Sequence, residues 1–301
     1  RRSSVARRSS PARSTSTSSP PVREKRTRPD FGFVVVFLAR RAPLAPPDAL
    51  SAKLVDKLSC EVEDPDRHTK IRPRKYQFGK STKGKPLLAY IVEPEKGTKN
   101  AENLYLIAAQ HGDERNSRKV LEYFLREVKT ISADYRNHRR IIIVPVYNPD
   151  GYKRNHRVTP KSIDLNRDFP SSDGNEANPQ APETEAFLAL MEKYPPKHIY
   201  NLHQPFRVVL AYPEDVELAK PFAQLSDYPL GQGVGYPTPG SLGTYAREKK
   251  IPVITVELSR SMRAAMAPFI YEEVRLALFN AAFGCIPRDA RKSHLETYLA
   301  E

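Results

Sequence analysis

The sequence predicts an α/β protein, a three-layer sandwich around a mixed, mostly parallel central sheet. Three observations carry this. Short β-branched apolar runs alternate with stretches of helical periodicity along most of the chain. The run Arg140–Val146 is apolar without alternation, as in a strand covered on both faces. His111, His203 and Glu257 all fall at predicted strand ends, where sheets of this class hold their ligands.

Taken in order, residues 1–30 are rich in Arg, Ser, Thr and Pro and offer almost nothing to bury. That composition predicts a disordered basic tail. It carries nine Arg/Lys against two acidic residues, half of the chain's formal +14. The charge anomaly therefore belongs to the tail, which argues against reading the body as a nucleic-acid binder. Residues 31–71 read as a linker or peripheral segment. Within them the apolar run 31–39 resembles the middle of a signal peptide, but Arg40-Arg41 follow at once. The main folded domain is expected over 72–284, and 285–301 as a C-terminal tail. No apolar run approaches the ~20 residues of a membrane span.

In the body, two extended runs around Lys83-Gly84-Lys85 predict a hairpin over residues 76–92. Leu104–Ala109 is a buried strand, and Arg115–Thr130 is a helix, with Val120, Leu121, Phe124, Leu125 and Val128 on one face. Asn148-Pro149-Asp150-Gly151 is a turn by composition. Pro182–Tyr194 is a helix, His198–His203 and Val208–Tyr212 are strands, and Ser241–Lys250 is a helix. Val253–Leu258 is a strand, and a last helix runs from Pro268, a residue suited to a first helical turn, to Phe283.

The chemistry starts at His111-Gly112-Asp113-Glu114, on a predicted strand-to-helix turn. A His and a Glu three apart there can point at one spot, and imidazole nitrogen with carboxylate oxygen suits Zn2+. The bland alternative is an acidic pair favouring a helix N-terminus. His203 would supply a third ligand, leaving an open position, the pattern of a catalytic rather than a structural site. Glu257 lies in an otherwise apolar strand, where a carboxylate is costly unless paired or used. It is either an acid paired with Arg260 or a general base acting on zinc-bound water. Arg157 is placed to polarise a carbonyl, and Asn166-Arg167 offers a fork for a substrate carboxylate.

His111-x-x-Glu114, Asn148-Pro149-Asp150-Gly151, Arg157, Asp164-Leu165-Asn166-Arg167, His203 and Glu257, in this order, resemble the zinc carboxypeptidase family of metallopeptidases over about residues 72–283. Pro239–Tyr245 and the segment leading to Glu257 are more similar to its bacterial murein peptide amidase A branch than to digestive members. The resemblance implies a carboxypeptidase-like sandwich and one Zn2+ per chain, held by His111, Glu114 and His203. It implies Glu257 as base and acid, Arg157 on the oxyanion, Asn166 and Arg167 on the substrate carboxylate, and Asp164 orienting a ligand histidine. Tyr236 falls where digestive members carry a mobile tyrosine. Asp168 replaces a second Asn and would make the carboxylate pocket more acidic. The implied partner is a peptide, a murein tripeptide cleaved between γ-D-Glu and meso-diaminopimelate.

Two other readings remain open at this level. One is an N-acyl amino-acid deacylase of the aspartoacylase and succinylglutamate desuccinylase type, against which Asn148–Gly151 and Leu242–Tyr245 speak. The other is an anionic-surface or nucleic-acid binder acting through the tail. Two cysteines, Cys60 and Cys285, fit a reduced compartment at least as well as one disulfide, so the expected location is cytoplasmic, with periplasmic or secreted as the alternative. Sequence gives no oligomeric state.

Overall fold

A computed structural model describes residues 49–62, 69–95, 100–172, 179–233, 238–261 and 263–300. The expectations for the basic tail, for 31–39 and for Tyr236 lie outside the described residues. In chain order the elements are helix α1 (Ala49–Leu58), strands β1 (Ser59–Cys60), β2 (Arg74–Lys80), β3 (Pro86–Val92) and β4 (Glu102–Ala108), and helix α2 (Arg115–Val128). Then come β5 (Arg139–Val144), α3 (Pro149–Arg154), α4 (Pro182–Lys193), β6 (Pro196–His203), β7 (Phe206–Leu210), α5 (Val216–Ser226) and β8 (Leu230–Gly231). The chain closes with α6 (Leu242–Glu248), β9 (Val253–Ser259), α7 (Ala267–Phe283), β10 (Ile286–Pro287) and α8 (Leu295–Leu299).

Eight strands form the main sheet in the order β2-β3-β5-β4-β6-β9-β7-β8. Its centre is parallel, β5-β4-β6-β9, and the antiparallel hairpin β2–β3 closes one side. β7 runs antiparallel to β9, which makes the sheet mixed. Because side chains alternate along a strand, the continuous apolar runs feed both faces. Leu104, Leu106, Ile141, Ile143, Ile254 and Val256 join α2 and α7 in one core. Tyr105, Ile107, Ile142, Val144 and Ile199 join Phe187 and Leu190 of α4 and Ala246 of α6 in the other. The three-layer α/β sandwich expected from the sequence is the architecture observed.

Asn148-Pro149-Asp150-Gly151, expected as a turn, starts a helix instead. The Asn148 side chain accepts the Gly151 amide hydrogen at 2.8 Å, and Pro149 occupies the first turn, where no amide donor is missed.

The segments flanking the body are tied to it. α8, in the expected C-terminal tail, docks through Tyr298, whose hydroxyl donates to Glu127 at 3.2 Å. Glu127 also pairs with Arg275 at 3.4 Å, both side chains being 2% exposed. At the other end Cys60 and Cys285 form a disulfide that joins β1 to the segment before β10 across 225 residues. Such a long closed loop removes many unfolded conformations. Cys285→Ser is therefore expected to lower stability by about 2–5 kcal/mol, read as a shift in the denaturant midpoint. A midpoint equal to the parent's would show that the bridge adds nothing.

Candidate metal centre and active site

β4 delivers its chain to the site through Ala109, which adopts a left-handed conformation at φ 51°. The Ala109 amide donates to Ser117 Oγ at 3.0 Å, and Ser117 Oγ donates to the Glu114 carbonyl at 2.7 Å, so the turn is fastened to the first turn of α2. Gly112 is demanded by crowding: a Cβ there would lie 2.1 Å from the Gly151 carbonyl carbon. That close approach brings α3 and the Arg157 backbone beside His111, with the Gly112 amide donating to the Arg157 carbonyl at 3.2 Å.

Glu114 is the N-cap of α2, yet its carboxylate makes no capping bond. It turns to two imidazoles instead. Oε1 lies 2.6 Å from His111 Nδ1 and Oε2 lies 2.9 Å from His203 Nδ1. The rings of His111 and His203 stand 4.9 Å apart, and both residues are 3% exposed. One donor atom from each of His111, Glu114 and His203 falls within 4.8 Å of the others.

This donor set fits zinc. Bonds of about 2.0–2.2 Å in a tetrahedral shell need donor atoms roughly 3–4 Å apart, which small rotations here supply. Asp164 Oδ1 lies 3.1 Å from His111 Nε2. A hydrogen on Nε2 pointed at that carboxylate leaves the Nδ1 lone pair facing Glu114 and the centre of the cluster. The electrostatics agree. Burial opposes charge on His111, but hydrogen bonds accepted by the Asp164 and Glu114 carboxylates outweigh it and lift its pKa to about 9. Burial likewise opposes ionisation of Glu114, yet His203 and His111 hold its pKa down at about 2. Asp164 is held low in the same way by His111 and Arg157, against its burial. Two carboxylates kept ionised beside an imidazole drawn towards protonation make a cluster that calls for positive charge at its centre. Asp164→Asn is expected to weaken zinc binding by about 10–100-fold, measured by competition with a chelator; unchanged affinity would deny Asp164 its orienting role.

Glu257 lies on β9 in register with His203 on the neighbouring strand β6. Burial raises its pKa above the ordinary glutamate value, with the nearby Glu114 charge adding to the shift and His203 opposing it. The Phe206 backbone lies near this carboxylate and favours its charged form, and Oε2 has no hydrogen-bond partner among the described residues. No ion pair joins Glu257 to Arg260 among the described residues, so the bland reading of Glu257 is not the arrangement found. A buried carboxylate with an oxygen left free is equipped to take up and release a proton.

Arg157 Nε donates to Asp164 Oδ2 at 2.9 Å, and its Nη1 lies 3.2 Å from His111 Nδ1, which aims the guanidinium at the cluster. Asn166 Oδ1 accepts the Leu242 amide at 3.0 Å, so the Asn166 side-chain NH2 is left to donate elsewhere. Arg167 follows, packed under the Pro239-Gly240 turn; a Cβ on Gly240 would lie 2.4 Å from the Arg167 carbonyl oxygen. His111, Glu114, Arg157, Asn166, Arg167, His203 and Glu257 thus line one cavity of about 260 Å³. Asp168 does not acidify the carboxylate pocket as expected: its oxygens accept the amides of Gln180 and Ala181 at 2.9 and 3.1 Å, ahead of α4.

Sequence reasoning missed three supports. Gln204 Oε1 accepts the Asn116 amide at 3.0 Å and locks the chain after His203 onto α2. The Phe206 backbone favours the charged form of Glu257, which no side-chain pattern signals. Asn201, buried in β6, lines the cavity two residues before His203. A polar residue inside an apolar strand was the available signal for it.

A doubly covered α/β sheet with two imidazoles and a carboxylate converging at its strand ends, beside a buried glutamate, defines a metallohydrolase. The chain belongs to the zinc carboxypeptidase family, whose sequence model matches residues 66–229, more than half of its length. It is 30% identical over 203 residues to murein peptide amidase A of Vibrio campbellii, covering 60% of this chain and 77% of that one. The crystal structure of the murein-tripeptide amidase of Escherichia coli O157 superposes with a TM-score of 0.55 at 25% identity, over 72% of this chain and 95% of that one. Thrombin activatable fibrinolysis inhibitor shares the fold with a TM-score of 0.59 at 18% identity, over 78% of this chain and 72% of that one. Zinc is the metal of this family, and the His-Glu-His group could hold such an ion. No helix among the described residues is long and apolar enough to cross a membrane.

Proposed function

We propose that this protein is a zinc-dependent amidase that cleaves the γ-D-glutamyl–meso-diaminopimelate bond of murein peptides. His111, Glu114 and His203 hold the metal, which when bound lowers the pKa of a water and polarises a carbonyl. Asn166 and Arg167 grip the carboxylate next to the scissile amide. That grip fixes the register of the substrate, so the bond to be broken lies in front of Glu257. Arg157 donates to the carbonyl oxygen as negative charge develops there. Glu257 takes a proton from the attacking water and returns it to the leaving nitrogen. The single observation that carries the reading is the convergence of His111, Glu114 and His203 within 4.8 Å, with Glu257 on the adjoining strand.

The substrate rests on the two murein peptide amidases named above, together with a carboxylate fork beside the metal centre. Incubation of the purified zinc-loaded protein with L-Ala-γ-D-Glu-meso-diaminopimelate is expected to release free diaminopimelate. Release from N-acyl amino acids alone would favour the deacylase reading.

The Cys60–Cys285 disulfide supports the periplasmic or secreted alternative over the cytoplasmic expectation, because such bonds persist where thiols are oxidised.

A further inference from the structure

The cavity extends along the sheet from the metal centre, and its floor there is one row of residues across three strands. On β6 and β9 the pair His203–Glu257 is preceded, one side-chain repeat earlier along each strand, by Asn201–Thr255. Leu210 of β7 stands opposite Thr255 and completes the row. Two residues along a strand are about 6.6 Å, so the floor lies that far along the sheet from the His203–Glu257 pair.

The orientation of the Asn201 amide is fixed by a chain of hydrogen bonds. The Leu165 backbone carbonyl can only accept, so the Gln110 group facing it at 3.1 Å is the NH2. Gln110, fully buried, must then present its oxygen to Asn201, and Asn201 answers with its own NH2 at 2.8 Å. What remains is Asn201 Oδ1. It belongs to a residue 2% exposed, lines the cavity, and has no hydrogen-bond partner among the described residues. A buried carbonyl oxygen left without a donor is costly, and a bound molecule that brings one removes the cost.

From this we infer that Asn201 determines specificity: its Oδ1 accepts a hydrogen bond from an amino group at the far end of the leaving residue's side chain. The inference rests on the amidase reading above. With the leaving residue's carboxylate held by Asn166 and Arg167, its side chain points into the same cavity. Among the described residues, every charged side chain lining that cavity belongs to the metal, catalytic or carboxylate-binding sets; Asn201, Leu210, Ala211, Tyr212, Val253 and Thr255 are neutral. A neutral floor disfavours a lone buried ammonium, which would lack a counter-charge. It suits an amino group that carries its own carboxylate beside it, as the distal end of diaminopimelate does. Leu210 and Val253 then pack against the methylenes between the two ends.

The test compares two tripeptides that differ only at the far end of the last residue: L-Ala-γ-D-Glu-meso-diaminopimelate and its counterpart ending in 2-aminopimelate, which keeps both carboxylates and lacks the distal amine. The zinc enzyme is expected to prefer the first by about 10–100-fold in kcat/KM, the range for losing a hydrogen bond to a charged donor. Asn201→Leu, at unchanged zinc content, is expected to bring the first substrate down to the level of the second. The free amino acids provide a check independent of the variant: diaminopimelate should inhibit the wild-type enzyme more strongly than 2-aminopimelate. Equal cleavage of both peptides, or equal inhibition by both amino acids, overturns this inference alone and leaves the amidase reading intact. Cleavage of neither peptide overturns the amidase reading, and this inference with it.

Discussion

Replacing Glu257 by Gln is expected to lower kcat by about 10²–10⁴-fold, the usual contribution of a positioned general base, while the protein keeps its zinc. The substitution preserves volume, so packing of β9 against β6 persists. What it removes is a proton acceptor. Burial makes Glu257 a stronger base than an ordinary glutamate. An amide in its place takes no proton from water and returns none to the leaving nitrogen. Because Glu257 is outside the His-Glu-His group, metal content separates its role from that of the ligands. Full activity in the variant would refute the assignment of the base; loss of zinc together with activity would move Glu257 into the ligand set.

His203→Ala gives the opposite pattern, with both metal and activity lost. Two donors remain, His111 and Glu114, and Glu114 Oε2 loses the imidazole held 2.9 Å away. Removing an orienting partner costs about 10–100-fold in metal affinity; removing a ligand is expected to cost more. The variant dialysed against buffer should therefore retain almost no zinc, with an unchanged circular dichroism spectrum. The side chain ends β6 and lines the cavity. A variant that still binds one zinc tightly would place the metal elsewhere.

Much of this was legible in one dimension because the physics that encodes it is local. Continuous apolar runs mark doubly covered strands, and so located the ends at which His111, His203 and Glu257 stand. The spacing of His111 and Glu114 across a strand-to-helix turn was enough to point both at one place. Other features failed for reasons equally physical. α5 was not foreseen, since Pro221 lies within it and masks its periodicity. Asn148–Gly151 carried a turn composition that also serves as a helix cap. Asp168 was read by its position after Arg167, whereas its partners are amides twelve and thirteen residues further on. The Cys60–Cys285 bridge depends on a spatial meeting across 225 residues, which no local pattern encodes. The hydrogen-bond chain through Leu165, Gln110 and Asn201 joins three segments and became readable only once they were folded together.

The central claim is that His111, Glu114 and His203 share one zinc through the Nδ1 atoms of both histidines. Diffraction from zinc-loaded crystals, measured across the zinc absorption edge, addresses it directly. The account predicts one anomalous peak per chain, about 2.0–2.2 Å from His111 Nδ1, His203 Nδ1 and a Glu114 oxygen. A peak bound elsewhere, or none beside these three residues, would contradict it.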